Sequence, residues 1–130
     1  MIKKLLVSLL ILLQTFVFSQ ESKKSFSLEQ GLSNYSVQAF YKEVNGVIWI
    51  GTKDGLNRYD GYSFDTYLYD RANPYSISGN TITSLFFDSK KRIWAGTDIN
   101  GLNLFDVRKR RFYKIMLTSR DNEAVYIKKI

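Results

Sequence analysis

The sequence contains no histidine, no cysteine and a single proline, Pro74, among its 130 residues. Without histidine or cysteine the chain cannot assemble a Ser-His-Asp or Cys-His nucleophile, a zinc cluster, a thiol redox centre or a disulfide framework. Any catalysis would rest on Asp, Glu, Lys, Arg or Tyr, and neither a metal nor another cofactor is expected. An apolar run long enough to cross a bilayer is also missing. The most apolar stretch, Leu5 to Phe18, is 14 residues long and interrupted by Ser8, Gln14 and Thr15, whereas a span needs roughly 20.

That stretch has another reading. Lys3 and Lys4 precede it, and Val17 and Ser19 stand at the minus-three and minus-one positions before polar Gln20, Glu21 and Ser22. A positive n-region, a short apolar h-region and a small residue at the end form a cleaved secretory signal, residues 1–19. The absence of cysteine after the run excludes a lipoprotein anchor, so the expected location is exported and periplasmic. An oxidising compartment places no demand on a chain without cysteine.

Composition allows at most one ordinary domain, with 45% hydrophobic residues for a core. The formal charge of +7 falls to +5 when the signal leaves with its two lysines. The excess is late: Arg108, Lys109, Arg110, Arg111 and Lys114 fall in one stretch beside Phe112 and Tyr113, and Lys128 and Lys129 near the end. Basic residues among aromatics are the pattern of nucleic-acid binding. An exported chain rarely meets nucleic acid, however, and a solvated turn between two strands accounts for the same residues. No nucleic-acid partner is expected.

The most informative feature is an internal repeat. Ile48-Trp49-Ile50-Gly51-Thr52 returns as Ile93-Trp94-Ala95-Gly96-Thr97, 45 residues later. The match extends back to Leu32-Ser33 and Ile77-Ser78. After the threonine the second copy gains one residue, and Gly55-Leu56-Asn57-Arg58-Tyr59-Asp60 aligns with Gly101-Leu102-Asn103-Leu104-Phe105-Asp106. Within the first copy, Ser36 to Glu43 alternates and ends at the hairpin signal Asn45-Gly46. Val47 to Thr52 is continuously apolar and ends at Lys53-Asp54-Gly55. Leu56 to Asp60 ends at Asp60-Gly61, and Phe64 to Tyr69 precedes a loop containing Pro74. Continuous apolarity in so short a strand implies burial on both faces, as in a sheet stacked between two others.

Four short antiparallel strands repeated every 45 residues or so predict an all-β chain of propeller blades. The expected organisation is a lead-in over residues 20–31, blades over 32–76 and 77–118, and the start of a third blade over 119–130. In the lead-in, the alternation of Phe26-Ser27-Leu28 fits either a strand that closes the ring or an unstructured linker after the signal. Trp49 and Trp94 are expected in the core, and Glu43 and Asp88, which recur at equivalent positions, as turn or surface features.

These residues resemble a known family. Gly31-Leu32-Ser33-Asn34-Tyr35-Ser36-Val37 and the run Ile48 to Gly61 are similar to the two-component regulator propeller repeat; the second copy departs from it at Ala95, Ile99-Asn100 and Leu104. The resemblance covers roughly Phe26 to Asp106. It implies a periplasmic sensor region of the hybrid two-component systems found in Bacteroidetes, with two propellers of about seven blades, a membrane helix and a histidine kinase. It also implies an oligosaccharide ligand released from polysaccharide, and a membrane-anchored, dimeric parent. In such a ring the loops that join blades and the loops between second and third strands share one face. Asn34, Tyr35, Lys53, Asp54, Asn80, Asp98 and Asn100 are thus the candidate ligand contacts, because amides, carboxylates and an ammonium suit sugar hydroxyls and a tyrosine suits the apolar sugar face. The remaining motif positions, Gly51, Thr52, Gly55, Leu56, Asn57, Asp60, Gly96, Thr97, Gly101, Leu102, Asn103 and Asp106, are structural.

The expected function is that of a non-catalytic, ligand-sensing segment of such a sensor. The alternatives are part of a secreted propeller enzyme acting on polysaccharide, or a secreted propeller for protein interaction. Two blades are fewer than the four to eight of a closed ring, so the remaining blades are expected partners. Residues 20–130 alone should aggregate or melt without cooperativity, because open strand edges and an apolar face lack cover. A sharp thermal transition of a soluble monomer, followed by circular dichroism, would refute this.

Overall fold

The computed structural model describes residues 25–115 together with Met1. The expected signal (1–19) and third blade (119–130) lie outside the described residues. What is described is two four-stranded antiparallel sheets in simple meander order. The first comprises β1 (Val37–Lys42), β2 (Ile48–Thr52), β3 (Gly55–Tyr59) and β4 (Phe64–Tyr67). The second comprises β5 (Ile82–Phe87), β6 (Ile93–Thr97), β7 (Leu102–Asp106) and β8 (Arg111–Ile115). The first strands of the two sheets, β1 and β5, lie against each other. Two meanders stacked face to face with their first strands together are neighbouring blades of a propeller.

Three local features differ from the sequence reading. Leu28–Gln30 is a 3-10 turn capped by Ser27, with Gly31 at its end, in place of a strand through Leu28. Strand β1 carries a bulge, with Val37 opposite Thr52 but Ala39 opposite Gly51, so its alternation slips at Gln38. The β1–β2 connection is a three-residue loop, Val44 to Gly46, bracketed by the Glu43 N–H donating to the Val47 carbonyl at 2.8 Å. Gly46 closes it at φ 91°, the left-handed position that a loop of this length requires.

Packing follows from cross-strand register. Tyr41 opposes Trp49, Gly51 opposes Leu56 and Leu56 opposes Tyr67, so all five share the face of the first blade that meets the second. The facing surface of blade 2 presents Ile77, Ile82, Ile93, Ala95, Phe105 and Phe112, and together with Trp49 and Leu56 these form the buried core. Trp49 meets Phe105 edge-on at 5.4 Å, Tyr67 meets Phe105 and Phe112 at 5.0 and 5.5 Å, and Tyr41 stacks on Phe87 at 3.7 Å. Such ring pairs contribute about 1 kcal/mol each beyond the area they bury. Trp49 is fully enclosed, as expected for a core residue. Trp94 is only half-buried, because it lies on the opposite face of blade 2. The outer face of blade 1 receives the lead-in instead of a blade. Phe26 sits edge-on to Tyr59 at 4.9 Å and to Phe64 at 5.6 Å.

Gly51 permits the blades to approach this closely. A Cβ there would stand 2.7 Å from Cγ2 of Ile82 and 3.0 Å from its Cβ. Gly51→Ala is expected to cost about 1–3 kcal/mol by forcing the blades apart, and the additional change Ile82→Ala to recover part of that penalty. Urea unfolding of the two singles and the double, each with the remaining expected blades present, measures the coupling; strict additivity would show that the two positions do not meet.

Candidate functional site

Each repeat buries a polar cluster that explains most of its invariant positions. The Asn57 side chain is saturated: its Oδ1 accepts from the Ser33 N–H at 3.0 Å and the Thr66 hydroxyl at 3.1 Å, and its Nδ2 donates to Ser33 Oγ at 2.7 Å and the Ile50 carbonyl at 3.3 Å. The Thr52 hydroxyl donates to the Gly55 carbonyl, accepts from the Asp54 N–H, and lies 3.0 Å from Ser33 Oγ. Blade 2 repeats this with Asn103, Ser78, Thr97 and Gly101. Asp60 accepts the N–H groups of Tyr62 and Ser63, and Asp106 those of Arg108 and Lys109, so the motif aspartates close turns. These turn N–H groups pull Asp60 below the usual carboxylate range.

The candidate ligand residues all stand at the end of the sheets where the β2–β3 and β6–β7 turns meet the segments that lead into each blade. The Lys53 N–H donates to the Ser36 carbonyl, and the equivalent Asp98 N–H to that of Thr81. Between blades, Asn80 Nδ2 donates to Asp54 Oδ1 at 3.3 Å, the Gly55 N–H to the Asn80 carbonyl at 2.7 Å, and the Thr81 hydroxyl to the Lys53 carbonyl. Asp54, Asn80 and Lys53 are thereby brought together, and Asn100 lies over Gly79. Several of these side chains also have structural duties: Asn34 accepts the Ser36 N–H, Asn80 the Tyr69 N–H, and Asp98 the Ile99 N–H. Tyr35 is 81% exposed and Lys53 is exposed as well; these two have the most freedom to meet a ligand.

At the opposite end, Glu43 Oε1 accepts the Trp49 indole N–H at 2.6 Å and Asp88 Oδ2 accepts that of Trp94 at 3.0 Å. These bonds explain why an acid recurs six residues before each tryptophan, a spacing that sequence reading noted without a partner. Both acids line an open concavity of about 420 Å3 between the blades, with Tyr41, Asn45, Phe87 and Lys91. Each acid is thereby committed to a structural hydrogen bond. Partial burial alone would raise the Asp88 carboxyl. The Arg92 N–H, the Trp94 indole, the Arg92 guanidinium and the Lys90 N–H outweigh it and hold the group well below the usual carboxylate range. Among the described residues no group of three or more potential metal ligands occurs, and no helix is long and apolar enough to cross a membrane.

The stacked meanders with their buried Ser-Asn-Thr clusters define blades of a β-propeller. Residues 31–54 and 76–98 match the two-component regulator propeller family. A 55-residue segment is 42% identical to histidine kinase P4 of Formosa agariphila, covering 42% of this chain and 4% of that protein. Among solved structures, the extracellular domain of a protein described as a hybrid two-component system from B. thetaiotaomicron superposes with a TM-score of 0.67 at 30% identity. The match covers 78% of this chain and 14% of that one. A second B. thetaiotaomicron extracellular domain, described as a one-component system, gives 0.63 at 19% identity over 84% of this chain and 13% of that one, and shares the fold. The chain thus spans a small fraction of the relatives it matches.

Because the Asp88 carboxylate is depressed in the folded state, its contribution to stability is complete above the unfolded carboxylate range and is lost as pH falls through the lower folded value. With the remaining expected blades present, Asp88→Asn should therefore lower the melting temperature at pH 7 by more than at pH 3, with a shift in Trp94 fluorescence. An equal decrement at both values would contradict this.

Proposed function

We propose that this chain is part of the ligand-sensing propeller of an exported hybrid two-component sensor, that residues 1–19 are its export signal, and that its ligand is an oligosaccharide released from polysaccharide. The segment is non-catalytic; signalling belongs to a kinase elsewhere in the parent. The observation that carries the reading is the Asp54–Asn80 contact. It fuses the turn of one blade to the lead-in of the next, so that Lys53, Asp54, Asn80 and the exposed Tyr35 present hydroxyl-binding groups and an aromatic face at one end of the ring. Support for the sensor assignment comes from the repeat family and from neighbours that are extracellular domains of two-component systems. Binding at blade junctions also has a physical logic, since a ligand bridging two blades biases their relative packing.

Two measurements test this. The reading frame after codon 130 should run into further blades, a membrane helix and a kinase; a frame encoding only secreted blades would favour an enzyme or an interaction module. Titration calorimetry of the complete propeller, with the remaining expected blades present, against a panel of neutral oligosaccharides should find a binder that Tyr35→Ala and Lys53→Ala each weaken about tenfold, roughly 1.4 kcal/mol. Binding indifferent to both substitutions would remove these loops from the site.

A further inference from the structure

Blade 2 seats on one face of blade 1. The other face of blade 1 repeats the surface with which blade 2 receives it: Ile48, Tyr59 and Phe64 stand at the register positions of Ile93, Phe105 and Phe112. The likeness extends to geometry. Tyr59 and Phe64 lie 4.7 Å apart with 39° between their planes, and Phe105 and Phe112 lie 4.7 Å apart with 40° between theirs. Tyr67 enters the second pair edge-on at 5.0 and 5.5 Å, and Phe26 enters the first edge-on at 4.9 and 5.6 Å. A surface that reproduces an occupied blade seat in residues and in distances is itself a seat for a blade. Its aromatic socket is already filled by the lead-in.

The seat departs from its counterpart at one place. Where blade 2 has Phe87, on which Tyr41 stacks at 3.7 Å, blade 1 has Lys42. Lys42 is exposed, and no ion pair among the described residues employs it. Phe40, two residues earlier on the same face, is 75% exposed. The lead-in therefore covers the part of the face over β3 and β4, while the part over β1 stays open.

We infer that this face receives the blade that closes the ring, and that two side chains of that blade are dictated by what is already in place. At the position of Tyr41 it presents an aromatic ring over the Lys42 ammonium, so that the ring stack of the first junction becomes a cation–π contact. Phe86, the blade 2 residue at that position, keeps the aromatic character. At the position of Tyr67 the closing blade carries a non-aromatic side chain, because Phe26 holds the socket. Blade 2, which has Ile115 there, shows that the repeat accepts one. The inference rests on the closed ring expected of the parent and on neither its ligand nor its kinase, so a ring without a kinase leaves every result below readable.

The test uses the complete propeller. Lys42→Cys, paired with a cysteine at the closing blade's Tyr41 position, should form a disulfide within one molecule, as should the control pair Tyr41→Cys and Phe87→Cys. A control that cross-links while the closing pair does not would overturn the proposal. So would closing-pair disulfides found only between molecules, which would make a second copy the occupant. Lys42→Met and replacement of the facing aromatic by leucine should be coupled by about threefold in the unfolding constant; additive effects would remove the cation–π contact. Phe26→Ala should lower the melting temperature, and toluene should restore part of the loss in the variant but not stabilise the original. A variant indifferent to toluene, or an aromatic residue at the closing blade's Tyr67 position, would show that Phe26 does not hold the socket.

Discussion

The blade depends on one buried amide. Asn57 is enclosed, and a buried primary amide is tolerable only when its donors and acceptors are met. Two of its four bonds go to Ser33, 24 residues earlier and outside the sheet. One side chain therefore ties the segment leading into a blade to that blade's third strand. Thr52 extends the tie to the β2–β3 turn through Ser33 and Gly55. Removing the amide would strand the Ser33 N–H, at about 1–3 kcal/mol for a buried group left unpaired. Blade 2 keeps the same tie through Asn103, although Lys114 stands opposite it where Thr66 supplies a fourth bond in blade 1.

With the lead-in fixed, the blades can interlock. Ile77, immediately before Ser78, is fully buried in the interface, so the network that orders the segment also places an apolar residue between the sheets. The same geometry governs the free side of blade 1. Tyr59 and Phe64 are the counterparts of Phe105 and Phe112, and Phe26 meets them at nearly the distances at which Tyr67 meets its own pair. An aromatic from the preceding chain thus fills the socket that a fourth strand fills elsewhere, which keeps Tyr59 buried without a blade beside it. The 3-10 turn at Leu28–Gln30 follows from this docking, since the chain must turn back within a few residues to place Leu32 and Ser33.

The architecture was legible because its signals repeat. Two tryptophans at one offset, a glycine-threonine pair after each, and a turn signal closing every strand leave few alternatives to four-stranded blades. What was not legible lies in geometry that residue types do not encode. Nothing in Val37 to Tyr41 announces the bulge at Gln38, because the strand is largely exposed and no hydrophobic pattern pins its register. Asn45-Gly46 marks a hairpin but does not distinguish a two-residue from a three-residue loop. Trp94 carries the same sequence context as Trp49, yet its burial depends on which face of which blade it occupies. As for the site, sequence alone grouped the loops at one end of the ring, but it could not show that Asn34 and Asp98 spend hydrogen-bonding capacity on their own turns and Asn80 on Tyr69 and Asp54.

Comparison of the repeats with each other separates structure from specialisation. Where the blades agree, at Thr52 and Thr97, Asn57 and Asn103, Asp60 and Asp106, the residue does a job that every blade needs. Where they diverge, the common scaffold no longer explains the choice. On the face of blade 1 that meets blade 2, Arg58 and Asp65 pair, and Arg110 of blade 2 reaches across to the same carboxylate at 3.2 Å while lying over Tyr67 at 5.8 Å. In blade 2 the equivalent positions are Leu104 and Tyr113, so no equivalent ion pair can form there. The Arg110 that staples the first junction belongs to the same lengthened turn as Arg108. One insertion therefore supplies both an interblade contact and a further exposed arginine, and the polarity of blade 2 is a property of its turns laid over a backbone shared with blade 1.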